Sequence, residues 1–191
     1  MTEKTTELEN IIKGCIEQDP KAQEQLFKMM YGKMMSVCLR YMGDTDEAKD
    51  VLQDGFIKLF DKIEKYNFSG SFEGWMRRMF VNTSIDAIRK KKRDPFNITD
   101  ESRIAEEYSD EFGSEDNEST TLKAKVAMDA VQMLSPAYRT VFNLYVIENY
   151  THKEIGEILG VSEGTSKSNL AKAKQKLRSI LTSKFDVIDN Q

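Results

Sequence analysis

Cysteine is nearly absent from this chain: Cys15 and Cys38 are the only two in 191 residues. Both fall inside runs of helical periodicity, so they are expected as core thiols, and a disulfide framework is excluded as the source of stability. Proline occurs three times and glycine ten times, too sparsely for a turn-rich β architecture, and helices are favoured. The single histidine, His152, has no cluster of potential ligands around it in sequence. It is read as a surface residue at a helix start, neither a metal ligand nor a base. No run approaches 18 apolar residues, so no membrane span is expected. The opening MTEKTTELEN lacks the basic start and apolar stretch of a secretion signal, which makes a cytoplasmic protein the expectation. No histidine-supported nucleophile, glycine-rich phosphate loop or metal-ligand spacing is present. Neither enzymatic chemistry nor a cofactor or metal is therefore expected.

Charge is abundant, at 31% of residues, and it is segregated. Residues 1–93 carry 17 basic and 15 acidic side chains, residues 94–120 carry 1 and 10, and residues 121–191 carry 10 and 7. The net charge of −4 thus arises in the middle segment, while the flanks are mildly basic. That segment, DPFNITDESRIAEEYSDEFGSEDNEST, lacks periodicity and has the composition of a flexible linker. On both sides of it apolar residues recur at helical spacing, and no strand-type alternation of any length occurs. The expected fold is all-α, with two small helical domains at residues 1–93 and 121–185 joined by the acidic linker 94–120.

In the first domain one helix is expected from Thr6 to Gln18. A second opens at Pro20 behind an Asp19 cap and stops at Gly43. A third starts at Asp44 or Thr45 and carries Val51, Leu52, Phe56, Leu59, Phe60 and Ile63. Met29, Met30 and Met34 are read as core filler. After a loop from Tyr66 to Phe72, a fourth helix runs from about Glu73 to Lys92. Phe68, Phe72 and Trp75 offer aromatic surface, Trp75 being equally readable as a core residue, and Arg77, Arg78 and Arg89 to Arg93 offer cations. Aromatic platforms beside cations are what a nucleic-acid single strand requires. Phe80, with Met76, Met79 and Ile85, is expected in the core.

In the second domain Ser135 and Pro136 open a helix that continues through Val146. THKEIGEILGVSEGTSKSNLAKAKQKLRSIL then reads as a helix-turn-helix. Thr151 and Glu154 have the spacing of a capping box. Ile155, Ile158 and Leu159 form an apolar stripe, and Gly156 is small enough for a close crossing. Gly160 suits a helix end with positive φ, Val161 fills the turn and Ser162 caps the next helix. That helix carries Lys167, Lys172, Lys174, Lys176 and Arg178. A helix entering a major groove needs such cations for phosphates and short polar side chains for base edges.

AKDVLQDGFIKLFDKI (Ala48 to Ile63) and FSGSFEGWMRRMFVNTSIDAIRKKKR (Phe68 to Arg93) resemble conserved region 2 of bacterial RNA polymerase sigma factors. LSPAYRTVFNLYVIENYTHKEIGEILGVSEGTSKSNLAKAKQKLR (Leu134 to Arg178) resembles region 4. Two regions separated only by a short linker resemble the extracytoplasmic-function (ECF) group. The resemblance implies that Asp50, Gln53 and Asp54 grip a coiled coil of the polymerase's largest subunit, for which carboxylates and an amide are suited. It implies that the Phe68–Phe72 loop captures a flipped base of the −10 element, with Ser69, Gly70 and Ser71 allowing close approach. Asn82 matches a polar position of that pocket, and Trp75, Arg77, Arg78 and Arg89 flank it. Lys167, Ser168 and Lys172 match contacts to the −35 element, with Glu163, Thr165 and Asn169 adjacent. Ser166 stands where many relatives carry valine, which either loosens packing or offers a hydroxyl to DNA; it is grouped with the −35 contacts. Asn169 replaces a frequent arginine. The implied partners are core RNA polymerase, promoter DNA and an anti-sigma factor, with no small-molecule substrate. The acidic linker would follow the RNA path of the polymerase. A stand-alone helix-turn-helix regulator of duplex DNA is the main alternative, and a sigma-like decoy that sequesters a regulator is another.

Overall fold

Asp19 and Pro20 make the first break in the chain, and most later breaks are made by similarly recognisable residues. The computed structural model describes residues 3–92 and 126–188. The acidic linker, Arg93 and the helical start expected near Thr121 lie outside the described residues. Helix α1 (Glu3–Ile16) ends before Gln18, which takes a positive φ of 63°. Asp19 then caps α2 (Pro20–Met42) by accepting the Lys21 N–H at 3.0 Å. Gly43, with φ 71°, closes α2 by returning its N–H to the Leu39 carbonyl at 3.1 Å. Asp44 caps α3 (Thr45–Lys62) by accepting the N–H groups of Asp46 and Glu47. A 3₁₀ turn (Ile63–Lys65) and the exposed loop lead to α4 (Phe72–Lys92).

The chain divides into two units, Met1–Lys90 and Lys91–Gln191. In the first, Ile12, Leu26, Met34, Tyr41, Leu59, Ile63, Met76, Phe80, Val81 and Ile85 are the largest fully buried side chains of α1 to α4 and the 3₁₀ turn. Each contributes about 1.5–3 kcal/mol of transfer free energy. Gly55 lets α3 and α4 meet closely, since a Cβ there would lie 2.5 to 2.9 Å from three atoms of the Phe80 ring. Cys15 and Cys38 are buried and unbridged. Burial pushes Cys15 up to about 11, helped by the Asp19 charge, and pushes Cys38 up to about 12. Both therefore stay protonated at neutral pH and are poor nucleophiles. Met30 and Met34 fill the core as expected, joined by Met35, whereas Met29 faces solvent.

The second unit contains α5 (residues 126–132), α6 (Pro136–Phe142), α7 (His152–Leu159) and α8 (Glu163–Ile188). Ser135 precedes Pro136 as expected but makes no side-chain cap, and α6 widens into a π turn (Asn143–Ile147) instead of running regularly through Val146. Ala130, Val131 and Leu134 pack with Ala173, Leu177 and Ile180 of α8, covered by Tyr138, Phe142 and Leu181. Helix α8 runs to Ile188, past the expected domain end at residue 185. Among the described residues there is no strand, and no helix is long and apolar enough to cross a membrane.

The α7–α8 turn is fixed by local chemistry. The Glu154 carboxylate accepts the Thr151 N–H and hydroxyl, both at 2.8 Å, and the Thr151 hydroxyl accepts the Glu154 N–H at 3.3 Å. These bonds hold the Glu154 carboxyl below its ordinary value of 4.5. A depressed carboxyl stabilises the fold above the ordinary value and ceases to do so as pH falls through the folded one. The protection factors of the α7 amides, taken against the intrinsic rate at each pH, are therefore expected to fall on acidification from pH 5 towards 3 more in the wild type than in Glu154→Gln. An equal fall would show that the box contributes nothing.

Gly156 is constrained by the turn rather than by a crossing helix. Its added Cβ would lie 2.8 Å from the Val161 carbonyl oxygen, a backbone atom whose own residue donates to Gly156 O at 3.0 Å. Alanine gains about 0.8 kcal/mol of helix propensity there but forces the turn apart. Gly156→Ala is expected to destabilise the second unit by a net of about 1–2 kcal/mol, read as faster amide exchange in α7 and the first turns of α8. A slower exchange would show that the turn yields freely.

Candidate nucleic-acid interface

Four residues on α3 share one outward face through spacings of three and four: Asp50, Gln53, Asp54 and Ile57. All are exposed. Ile57, at 60% exposure the most open large apolar side chain described, was not singled out by its sequence. An isoleucine in a run of otherwise buried apolar residues looks like core until the helix phase is known. The result is an acidic and amide surface with an apolar centre, suited to a basic, partly apolar helix of another protein.

The loop between the 3₁₀ turn and α4 is organised around Tyr66. Its hydroxyl donates to the Gly70 carbonyl at 2.9 Å, and its ring lies 5.2 Å from Phe68, 5.0 Å from Phe72 and 5.5 Å from Trp75. Phe68 and Gly70 both have positive φ, 59° and 81°. Phe68, Ser69, Gly70 and Ser71 are exposed, and Trp75 is half-buried. Ser71 also starts α4, its hydroxyl accepting the Gly74 N–H at 3.2 Å. Phe72 requires a correction. It is only 4% exposed, its ring set edge-on to Tyr66, so it supports the loop from beneath and presents no face to a base. Its spacing to Met76 and Phe80 already places it on the buried side of α4.

Arg78, Asn82 and Arg89 are exposed at i, i+4 and i+11, on the face of α4 that continues from Trp75. Asp86 interrupts the positive charge, lying 3.6 Å from Arg89 and 3.8 Å from Lys58. Arg77 is half-buried and off this stripe, so it is not brought together with the others. Phe80 is fully buried, as its spacing predicts.

In the second unit, Glu163, Thr165, Lys167, Ser168 and Lys172 are exposed on α8, and Asn169 is half-buried. Ser162 caps the helix by accepting the Thr165 N–H at 3.0 Å, with its hydroxyl 2.8 Å from that of Thr165. Lys167 pairs with Glu163 at 2.6 Å and holds the Glu163 carboxyl below its usual range. Because the pair is solvated, the Lys167 ammonium can exchange Glu163 for a phosphate at little cost. Ser168 donates to the Thr165 carbonyl at 3.0 Å and keeps lone pairs for a base-edge donor.

Ser166 requires a second correction. It has 0% exposure and lies 2.9 Å from His152 Nδ1. Its spacing to Leu170, Ala173, Leu177 and Ile180 puts it on the buried stripe of α8, and no surface remains for DNA. His152 also differs from expectation. It is half-buried, stacked on Tyr145 at 4.4 Å and bonded to Ser166, and so ties the π turn, α7 and α8 together. Lys174 lies over the other partner of that stack, 6.0 Å from the Tyr145 ring centroid. Among the described residues no group of three metal-binding side chains occurs.

Known proteins show the same organisation. Residues 26–94 match the family described as Sigma-70 region 2, and residues 125–177 match Sigma-70, region 4. The ECF RNA polymerase sigma factor SigW of Bacillus subtilis is 29% identical over 184 residues, covering 90% of this chain and 97% of SigW. The ECF RNA polymerase sigma factor SigE of Mycolicibacterium smegmatis is 29% identical over 163 residues, covering 83% of this chain and 61% of that longer protein. Among solved structures, the sigma factor RpoE of Bartonella quintana, crystallised with the anti-sigma factor NepR, shares the fold with TM-score 0.53 and 21% identity. That match covers 83% of this chain and 96% of the other. The two region signatures follow one another in order and together span more than half the sequence, and with these relatives they place the chain in the extracytoplasmic-function group of the sigma-70 family.

Proposed function

We propose that this protein is a promoter-specificity subunit that acts in the cytoplasm, binds core RNA polymerase, recognises −35 and −10 elements and promotes strand separation at −10. In this reading residues 1–93 engage core and the −10 element, residues 94–120 connect, and residues 121–185 engage the −35 element. Asp50, Gln53 and Asp54 take the polymerase, with Ile57 at the centre of the contact. The Phe68–Ser71 loop, Trp75, Arg78, Asn82 and Arg89 take the −10 strand. Thr165, Lys167, Ser168 and Lys172 take −35 DNA, with Glu163 and Asn169 at the edge.

One observation carries the proposal: an exposed Phe68 and a half-buried Trp75 adjoin a helix face bearing Arg78 and Arg89. Stacking surfaces beside cations serve an unpaired strand, and a regulator that reads only duplex DNA has no use for them. Helix α8, capped and lysine-bearing, suits a major groove. By analogy with the RpoE–NepR complex, an anti-sigma factor is the expected restraining partner.

The test is transcription in vitro with bacterial core polymerase and a genomic promoter library. Initiation dependent on the chain is expected, and Asp50→Ala/Gln53→Ala/Asp54→Ala is expected to weaken core binding at least about tenfold through loss of charge-assisted bonds. Specific duplex binding without core binding would instead establish the stand-alone regulator.

A further inference from the structure

We propose that Tyr66 is a positioning residue that holds Phe68 upright as the surface on which an extruded −10 base stacks. The inference rests on the promoter-opening reading above and names a residue outside the set that would touch DNA. Its starting point is Phe68, which bears two unfavourable features together. Its φ of 59° lies in the left-handed region that bulky side chains avoid. The residue is also 42% exposed, so burial does not compensate for the backbone strain. Such a conformation persists only where its surroundings over-determine it, and it is commonest where a site uses it.

Tyr66 supplies the constraint. It is buried, and its ring meets Phe68 at 5.2 Å and the α4 residues Phe72 and Trp75 at 5.0 and 5.5 Å. Its hydroxyl reaches across the loop to the Gly70 carbonyl at 2.9 Å, fixing the chain on the far side of the strained residue. Asn67 pins the near side by accepting the Ser69 N–H at 3.0 Å. The space above Gly70 is open, with no atom within 4 Å of where a Cβ would stand. A flat ligand can therefore approach the loop backbone beside the Phe68 ring. Tyr66, being buried, cannot touch that ligand and acts through Phe68.

The experiment uses the full chain with bacterial core polymerase on promoter templates varied base by base across the −10 element. Core binding and Trp75 fluorescence report that the protein is assembled and folded. Tyr66→Phe retains the ring and removes only the bond to Gly70. It is expected to leave core binding unchanged and to flatten the preference at one −10 base about fivefold, the scale of one hydrogen bond. Phe68→Ala is expected to flatten the same position, and the double variant to lose no more than Phe68→Ala alone. A wild-type preference in Tyr66→Phe, or losses that multiply in the double variant, would overturn the inference. Core binding by the wild type without preference at any −10 base would overturn it together with −10 recognition, leaving only the polymerase-binding part of the reading. Failure of the wild type to bind core at all would remove both.

Discussion

Phe80→Ala is expected to cost the first unit about 4 kcal/mol, the scale of a large ring lost from a closed core. Phe80 has no exposed surface, its ring meets Phe56 edge-on at 5.1 Å, and Gly55 of α3 lies directly against it. The same contact predicts that Gly55→Ala is harmful although alanine is the better helix former. An added Cβ would overlap the ring, and overpacking of this kind costs about 1–3 kcal/mol. The buried ring has nowhere to rotate, so the clash cannot be relieved by a flexible end. Combining Gly55→Ala with Phe80→Leu should then cost less than the sum of the two single changes, because the smaller side chain leaves room for the new methyl. The only tryptophan, Trp75, lies on α4, so its fluorescence during urea unfolding of the full chain reports on this unit. Strict additivity of the two changes would show that α3 and α4 do not meet through these residues. The consequence bears on the proposed function, since α3 carries the Asp50, Gln53 and Asp54 face and α4 carries Arg78, Asn82 and Arg89. Their mutual register depends on the Gly55–Phe80 contact.

Helix boundaries were legible where a single residue type satisfies orphan backbone groups. Asp19, Asp44 and the Thr151–Glu154 box start helices, and Gly43 and Gly160 end them. The loop from Tyr66 to Phe72 was legible too, but its organising residue was not. Tyr66 carries no charge and matches no motif, and only the three-dimensional path brings its hydroxyl to Gly70. The π turn at Asn143–Ile147 was illegible because the helix ends there: the extra residue shifts the helical phase by about 100°, and no later apolar position on the same helix registers the shift. Phe72 and Ser166 differ from expectation because residue type and helix phase point in opposite directions at these two positions. An aromatic in a loop and a serine in a recognition helix both suggest DNA, yet each stands in register with a buried stripe. Ser166 precedes Leu170 by four residues and Ala173 by seven, and that spacing alone would have placed it inside. Its polarity is accommodated because His152 supplies a partner from α7.

That burial makes Ser166→Lys a decisive substitution. If residue 166 faced the major groove, a lysine there would add a phosphate contact and tighten binding, most visibly at low salt. The structure requires the opposite. An ammonium at this position would be desolvated beneath α7, and His152 would lose its hydroxyl partner. Burial of an unpaired charge is among the few single changes that cost about 3 kcal/mol or more. The second unit of Ser166→Lys is expected to lose amide protection throughout α7 and the first half of α8 while Trp75 still reports a folded first unit. Binding to −35 DNA should fall with that protection and not recover at low salt. Ala171→Lys is the control, because Ala171 is exposed on α8 and accepts the same charge in water. It is expected to keep wild-type exchange and to bind DNA more tightly. A Ser166→Lys protein with wild-type protection and tighter binding would mean that α8 is rotated from the phase described here, with Leu170, Ala173 and Leu177 no longer defining its inner face. The outcome thus decides which side of α8 reads DNA, and with it whether Thr165, Lys167, Ser168 and Lys172 are the residues that do so.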